Sequence, residues 1–226
     1  MKLAKPCFDV GLATNIAQPM LNFWTDEAGL PYDHLLKVGK GQHQHRFDCD
    51  GSVVKVNNYR DPLPDTPPTG YREVWLAHEG AEKALTDPDG NKVRLVRSGH
   101  QGVTQLAMRV GVRSLAAHSQ FFREAFGFDE VPYEGGVGFK VGNGLLLLEE
   151  SADAPSDAVM QGKGWRYITF QVFKVDEDHA AVLAAGGREA MAPTTLGKTA
   201  RISMVRDPDG NWIELSQRAS LVGALD

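Results

Sequence analysis

In the run Gln42-His43-Gln44-His45-Arg46-Phe47 two imidazoles stand two positions apart within a strand-like segment, so both rings project from one face. Lining a cavity, such a pair could ligate a metal or move protons; on an exposed strand end it would be plain polar surface. Sequence leaves both readings open, and His43 and His45 are carried forward as substrate-binding candidates. His118 and His179 fall on helical patterns and are expected to face solvent, while His34, His78 and His100 lie at strand edges or in a connection. Cys7 and Cys49 are the two cysteines, too few for a disulfide framework or a Cys-rich zinc motif. They read as reduced thiols. Gly135-Gly136 and Gly186-Gly187 lack phosphate-binding spacing and read as turns.

Another chemical contrast comes from a repeat. Asp-Pro-Asp-Gly-Asn occurs at 87–91 and again at 207–211, each time before a strand-like run, Lys92–Val96 or Trp212–Leu215. Three positions beyond the turn the copies differ: Arg94 in the first, Glu214 in the second. A carboxylate there could help hold a cation. A guanidinium would repel one and could instead grip a ligand carboxylate or phosphate through its bidentate fork.

The elements that must position these groups also come twice. Phe8, Val10 and Leu12 alternate with Asp9, Gly11 and Ala13; Leu106, Met108, Val110 and Val112 alternate with Gln105, Ala107, Arg109 and Gly111. A helix follows each strand. The first takes Asn15 as its cap and buries Met20, Phe23 and Trp24; the second takes Ser114 and ends at Gly127. Hairpin turns are expected at Asp50-Gly51 and Asn143-Gly144, and surface connections at 60–69 and 151–163. New strands then begin at Glu73 and Tyr167, and a helix spans Asp176 to Ala185. In the first copy Ala77–Thr86 is too short for a full helix and strand. The reading is an α+β chain of two domains, 1–98 and 102–220, each a doubled β-α-β-β-β unit, the first abbreviated, with 97–102 as linker.

Composition narrows the function classes. The 226 residues are 42% hydrophobic and 23% charged, with a net charge of −5. Without a basic stripe there is no footprint for a nucleic-acid backbone, and the longest apolar run, 144–148, is far too short for a bilayer. The N-terminus has no signal-peptide pattern, so a cytoplasmic protein acting on a small molecule is expected.

The strand carrying Gln105, the helix end Phe121–Phe128, the strand Tyr167–Val172 and above all Asp207–Leu215 resemble the vicinal oxygen chelate superfamily, the fold of glyoxalase I, bleomycin-resistance proteins and extradiol dioxygenases. The resemblance implies tandem glyoxalase-like domains, each an open, curved mixed sheet cradling a divalent metal (Mg, Mn, Ni, Zn or Fe). Carried over position by position, it makes Gln105, Glu214 and Glu149 the metal ligands. Glu214 and Tyr167 would be catalytic, with Tyr167 standing where the family commonly has His. The corresponding positions of the first copy are Asp9, Lys55, Glu73 and Arg94, whose opposite charges are expected to pair and exclude a metal. Three activities follow: a metal-dependent lyase or isomerase acting on an oxygen-rich substrate, a metal-free ligand-sequestering protein of the resistance type, or an extradiol dioxygenase. Family members commonly associate edge to edge, which implies a homodimer.

Overall fold

The computed structural model describes residues 1–39 and 41–225. The first unit comprises β1 (Leu3–Thr14), α1 (Ala17–Asn22) with a π turn at Phe23–Glu27, β2 (Tyr32–Gly39), β3 (Gln42–Cys49) and β4 (Ser52–Tyr59). The second is β5 (Tyr71–His78), β6 (Lys83–Thr86) and β7 (Lys92–Arg97), with a short strand and no helix in the abbreviated stretch. The third is β8 (Leu106–Val112), α2 (Leu115–Phe121) with a π turn at Phe122–Phe126, β9 (Asp129–Tyr133), β10 (Gly136–Val141) and β11 (Gly144–Glu150). The fourth is β12 (Gly164–Val172), α3 (Val175–Ala184), β13 (Arg188–Leu196), β14 (Ala200–Arg206) and β15 (Trp212–Arg218), before a last turn, α4 (Ala219–Val222). Among the described residues no helix is long and apolar enough to cross a membrane.

These strands make two curved mixed sheets, in the orders β13-β14-β15-β12-β1-β4-β3-β2 and β6-β7-β5-β8-β11-β10-β9. The first unit therefore pairs with the fourth, and the second with the third. Each of the ranges 1–98 and 102–220 holds strands of both sheets, and 97–102 runs between β7 and β8 of one sheet. Connection chemistry accounts for the arrangement. Pro62, Pro64, Pro67 and Pro68 stiffen 60–70 into an extended spacer that carries the chain from one sheet to the other. The short turns at 98–105 keep their flanking strands together, and 151–163 carries the chain back.

Period-two alternation sorts each strand into two faces. Phe8, Val10, Leu12, Val54, Val56, Ile168, Phe170, Ile213 and Leu215 enter the common core beneath the helices, so the intervening residues line a trough. Ser114 caps α2 through its Oγ, which accepts the Ala117 N–H, and Gly127 at φ 67° closes the following turn. Asn15 does not cap α1. Its amide donates to the Tyr59 and Asp61 carbonyls and accepts the Leu63 N–H, pinning the start of the Pro-rich spacer.

The two Asp-Pro-Asp-Gly-Asn turns fold alike. Asp87 Oδ1 accepts the N–H groups of Asp89 and Asn91, and Asp207 Oδ1 those of Asp209 and Asn211. Each turn then reaches across to the other sheet: Thr14 Oγ1, ending β1, donates to Asp89 Oδ2 at 2.5 Å, and the Arg113 N–H, just after β8, to Asp209 Oδ2 at 2.7 Å. His118 and His179 are buried, against the expectation that they face solvent. The His118 ring donates through Nδ1 to the Ser114 carbonyl and places Nε2 3.4 Å from Asp207 and 3.7 Å from Asp209. Burial alone would lower the imidazole's pKa, but the Asp207 carboxylate raises it on balance. A raised folded-state value gives stabilisation that is complete below the ordinary value and lost as pH rises through the raised one. His118→Gln is thus expected to lose roughly 1.5–3 kcal/mol below the ordinary imidazole value, with the gap to wild type narrowing as pH rises through the raised one, read from denaturant midpoints across pH.

Candidate functional site

In the eight-stranded sheet four strands bring polar side chains to one point. The register sets Gly11 beside Lys55, Asp9 opposite Thr169, and Thr169 beside Glu214, from β1, β4, β12 and β15. At the centre is an ammonium. Lys55 Nζ lies 2.6 Å from Thr169 Oγ1, 3.1 Å from Glu214 Oε2 and 3.5 Å from Asp9 Oδ2. The Thr169 hydroxyl donates in turn to Glu214 Oε2 at 2.6 Å. Asp9 also accepts from Lys5 at 2.7 Å and from the Val53 N–H. Burial would raise the Asp9 pKa, but Lys55 and Lys5 together hold the carboxyl below its ordinary value.

Tyr167 lies beside this cluster. Its hydroxyl accepts from Asn57 and Gln44, and Gln44 in turn accepts from Arg46, whose buried Nε has no protein partner. Burial, reinforced by Glu214, pushes the phenol well above its ordinary pKa, so it is a neutral hydrogen-bonding group. The ring lies against Gly11, where an added Cβ would come within 2.3 Å of two ring atoms. Gly11→Ala is expected to cost about 1–3 kcal/mol by overpacking, measured by denaturant unfolding. Retention of wild-type stability would mean that the ring has another place to go.

The seven-stranded sheet repeats the theme with a guanidinium. Arg109 reaches Glu73 Oε2 at 2.5 Å and grips Glu149 with two bonds of 2.9 and 2.6 Å, while Tyr133 donates to the same carboxylate. The Glu149 bonds raise the Arg109 pKa, and burial, with Glu149 beside it, pushes the Tyr133 phenol up to about 12. Arg94 sits 3.6 Å from Glu73 and over the Trp75 ring. The opposite charges expected to pair do so, Lys55 with Asp9 in one sheet and Arg94 with Glu73 in the other. Glu73 and Arg109 also line a cleft of about 470 Å³, walled by Tyr71, Arg72, Lys92 and Trp165, where both long connections meet the first Asp-Pro-Asp-Gly-Asn turn.

The sequence-derived ligand set is not brought together. Gln105 donates to the Asp50 carbonyl, Glu214 is bound by Lys55 and Thr169, and Glu149 by Arg109 and Tyr133. Register explains the difference. The residue opposite Glu73 is Arg109, four positions beyond Gln105, and the residue beside Glu214 is Thr169, two beyond Tyr167. His43 and His45 do share a face, but with Val56 of the neighbouring strand's core face, whereas Gln44 and Arg46 take the trough face with Asn57 and Lys55. His45 contacts the Tyr32 hydroxyl at 3.3 Å, and burial together with His43 lowers its pKa. Arg109, Thr169, Arg46 and Tyr133 were missed as site residues. Arg109 carried a usable signal as the lone charge in Leu106–Val112.

A family model for the Glyoxalase/Bleomycin resistance protein/Dioxygenase superfamily matches residues 103–215. The chain belongs to this superfamily. Glyoxalase I from Zea mays superposes with a TM-score of 0.72 at 15% identity, covering 92% of this chain and 91% of that one. A putative dioxygenase from Bacillus subtilis subsp. subtilis str. 168 gives 0.67 at 10%, covering 93% and 84%. At these identities the likeness is one of fold. No curated protein matches the chain.

Divalent metals are generally bound in the glyoxalase superfamily, but the residues here do not fit one. A lysine ammonium stands where Asp9, Thr169 and Glu214 converge, and a guanidinium stands between Glu73 and Glu149. A fixed cation occupying the centre of the donor set opposes a divalent ion by repulsion and by using its lone pairs. Among the described residues no group of three His, Cys, Asp or Glu side chains is placed to hold a metal.

Proposed function

We propose that this glyoxalase-superfamily chain binds a small organic molecule without a metal, as the resistance-type reading of the sequence expects. The single observation that carries it is the Lys55 ammonium bound by Asp9, Thr169 and Glu214. The lyase or isomerase reading needs a Lewis acid on Gln105 and Glu214, whose side chains have different partners. The dioxygenase reading needs two histidine ligands, and its two positions hold Gln105 and Tyr167. Space for a ligand is offered by the cleft of about 470 Å³, within the range of small-molecule sites and walled in part by Tyr71 and Trp165.

A thermal-shift screen tests the proposal. Members of an organic ligand panel are expected to raise the melting temperature, while Mg²⁺, Mn²⁺, Ni²⁺, Zn²⁺ and Fe²⁺ leave it unchanged. Stoichiometric metal uptake that Glu214→Ala abolishes would overturn it and restore the metal-dependent lyase.

A further inference from the structure

Resting on the small-molecule reading, we infer that the ligand of the cleft carries an oxyanion, a carboxylate or phosphate, received by Arg72, Arg109, Lys92 and Lys163. The cleft is lined by these four cations and by two acids, Glu73 and Asp153, an excess of two positive charges. Adding Glu149, which binds Arg109 but does not line the cleft, still leaves an excess of one.

The two arginines are held in place before any ligand arrives. Glu73 and Glu149 take three of the five N–H groups of Arg109, leaving two without a protein acceptor. Arg72 is fixed by one nitrogen that donates to both the carbonyl and the carboxylate of Asp153. It also crosses Gly111, where a Cβ would stand 2.9 Å from Arg72 Nε, so the glycine keeps a path open for the side chain. Lys92 and Lys163 have no ion-pair partner among the described residues and supply the unneutralised charge.

Anchored guanidiniums with spare N–H groups favour planar or tetrahedral oxyanions, because their donors need no ordering on binding. A neutral ligand would gain no charge–charge attraction from the two lysines. An anionic one gains attraction that salt screens.

The test titrates three probes at low ionic strength, inorganic phosphate, malonate and its uncharged diamide malonamide, into wild type and Lys92→Glu/Lys163→Glu, read by calorimetry and tryptophan fluorescence. Both substitutions are on exposed side chains, and equal melting temperatures confirm an intact fold. Saturable binding of phosphate or malonate to wild type is expected, at least tenfold weaker in the double variant, with malonamide silent. The stronger of the two anions identifies the oxyanion class. Equal anion binding by both proteins, or none by wild type, overturns the inference. If members of the organic panel bind both proteins equally, the oxyanion falls and small-molecule binding stands; if neither the panel nor the anions bind, both fall.

Discussion

Lys55→Met is expected to destabilise the protein by about 3–5 kcal/mol, the largest loss of any single substitution considered, because it removes the ammonium that Asp9 and Glu214 share in the trough. Asp9 is fully buried and keeps Lys5, while the Glu214 side chain is 17% exposed and keeps only the Thr169 hydroxyl. For a chain of this size that loss lowers the melting temperature by roughly 6–20 °C. The effect has a direction in pH. The Asp9 pKa is depressed in the folded wild type, so its contribution is present above the ordinary carboxylate value and is lost as pH falls through the depressed one. The gap between wild type and Lys55→Met is therefore complete above the ordinary carboxylate value and narrows only as pH falls below it toward the depressed one, measured by denaturant unfolding at each pH. A pH-independent gap would mean that only packing of the lysine stem was lost. In the same variant millimolar Mg²⁺ or Mn²⁺ is expected to recover part of the loss, while wild type does not respond.

Arg109→Met is expected to cost less, roughly 2–3 kcal/mol, because the Arg109 and Glu149 side chains are 28% and 26% exposed and water takes up part of the freed charge. Burial would raise the Glu149 pKa, but Arg109 holds it below the ordinary value. Its contribution is again present above the ordinary carboxylate value and lost as pH falls through the depressed one. The cost should therefore shrink on acidification, and the Tyr133 phenol, now beside an unpaired carboxylate, should titrate higher than in wild type. Ultraviolet difference titration of tyrosine checks the second point. An unmoved titration would show that Tyr133 does not sense the Arg109–Glu149 pair.

Much of the architecture was legible because it rests on local signals. Alternation in β1 and β8, the Ser114 cap, Gly127 and the repeated turn each act within a few residues. Two edge strands were harder. β2 is exposed along nearly its whole length, and β13 contains Pro193 and two register shifts, so neither shows clean alternation. The site was legible in residue type but not in grouping. Asp9, Lys55, Glu73 and Arg94 could be picked out as opposed charges, yet which carboxylate meets which cation depends on register and on which units share a sheet. Shifts of two and four residues put Thr169 and Arg109 where Tyr167 and Gln105 were expected. His118 was misjudged because the Asp207 and Asp209 side chains that bury it lie some ninety residues away in sequence.

The union of the first unit with the fourth sets an order of events for a chain emerging from the ribosome. Strands β5 to β11 are contiguous and can assemble as soon as residue 150 is free. β1 must wait, because its partner β12 includes Gln171, 162 residues beyond the Asp9 it binds. Until then one edge of β1 has its backbone groups unpaired, the condition under which nascent chains aggregate or recruit chaperones. Emergence of the fourth unit, more than any single contact, is the step at which the eight-stranded sheet and its buried charges come into being.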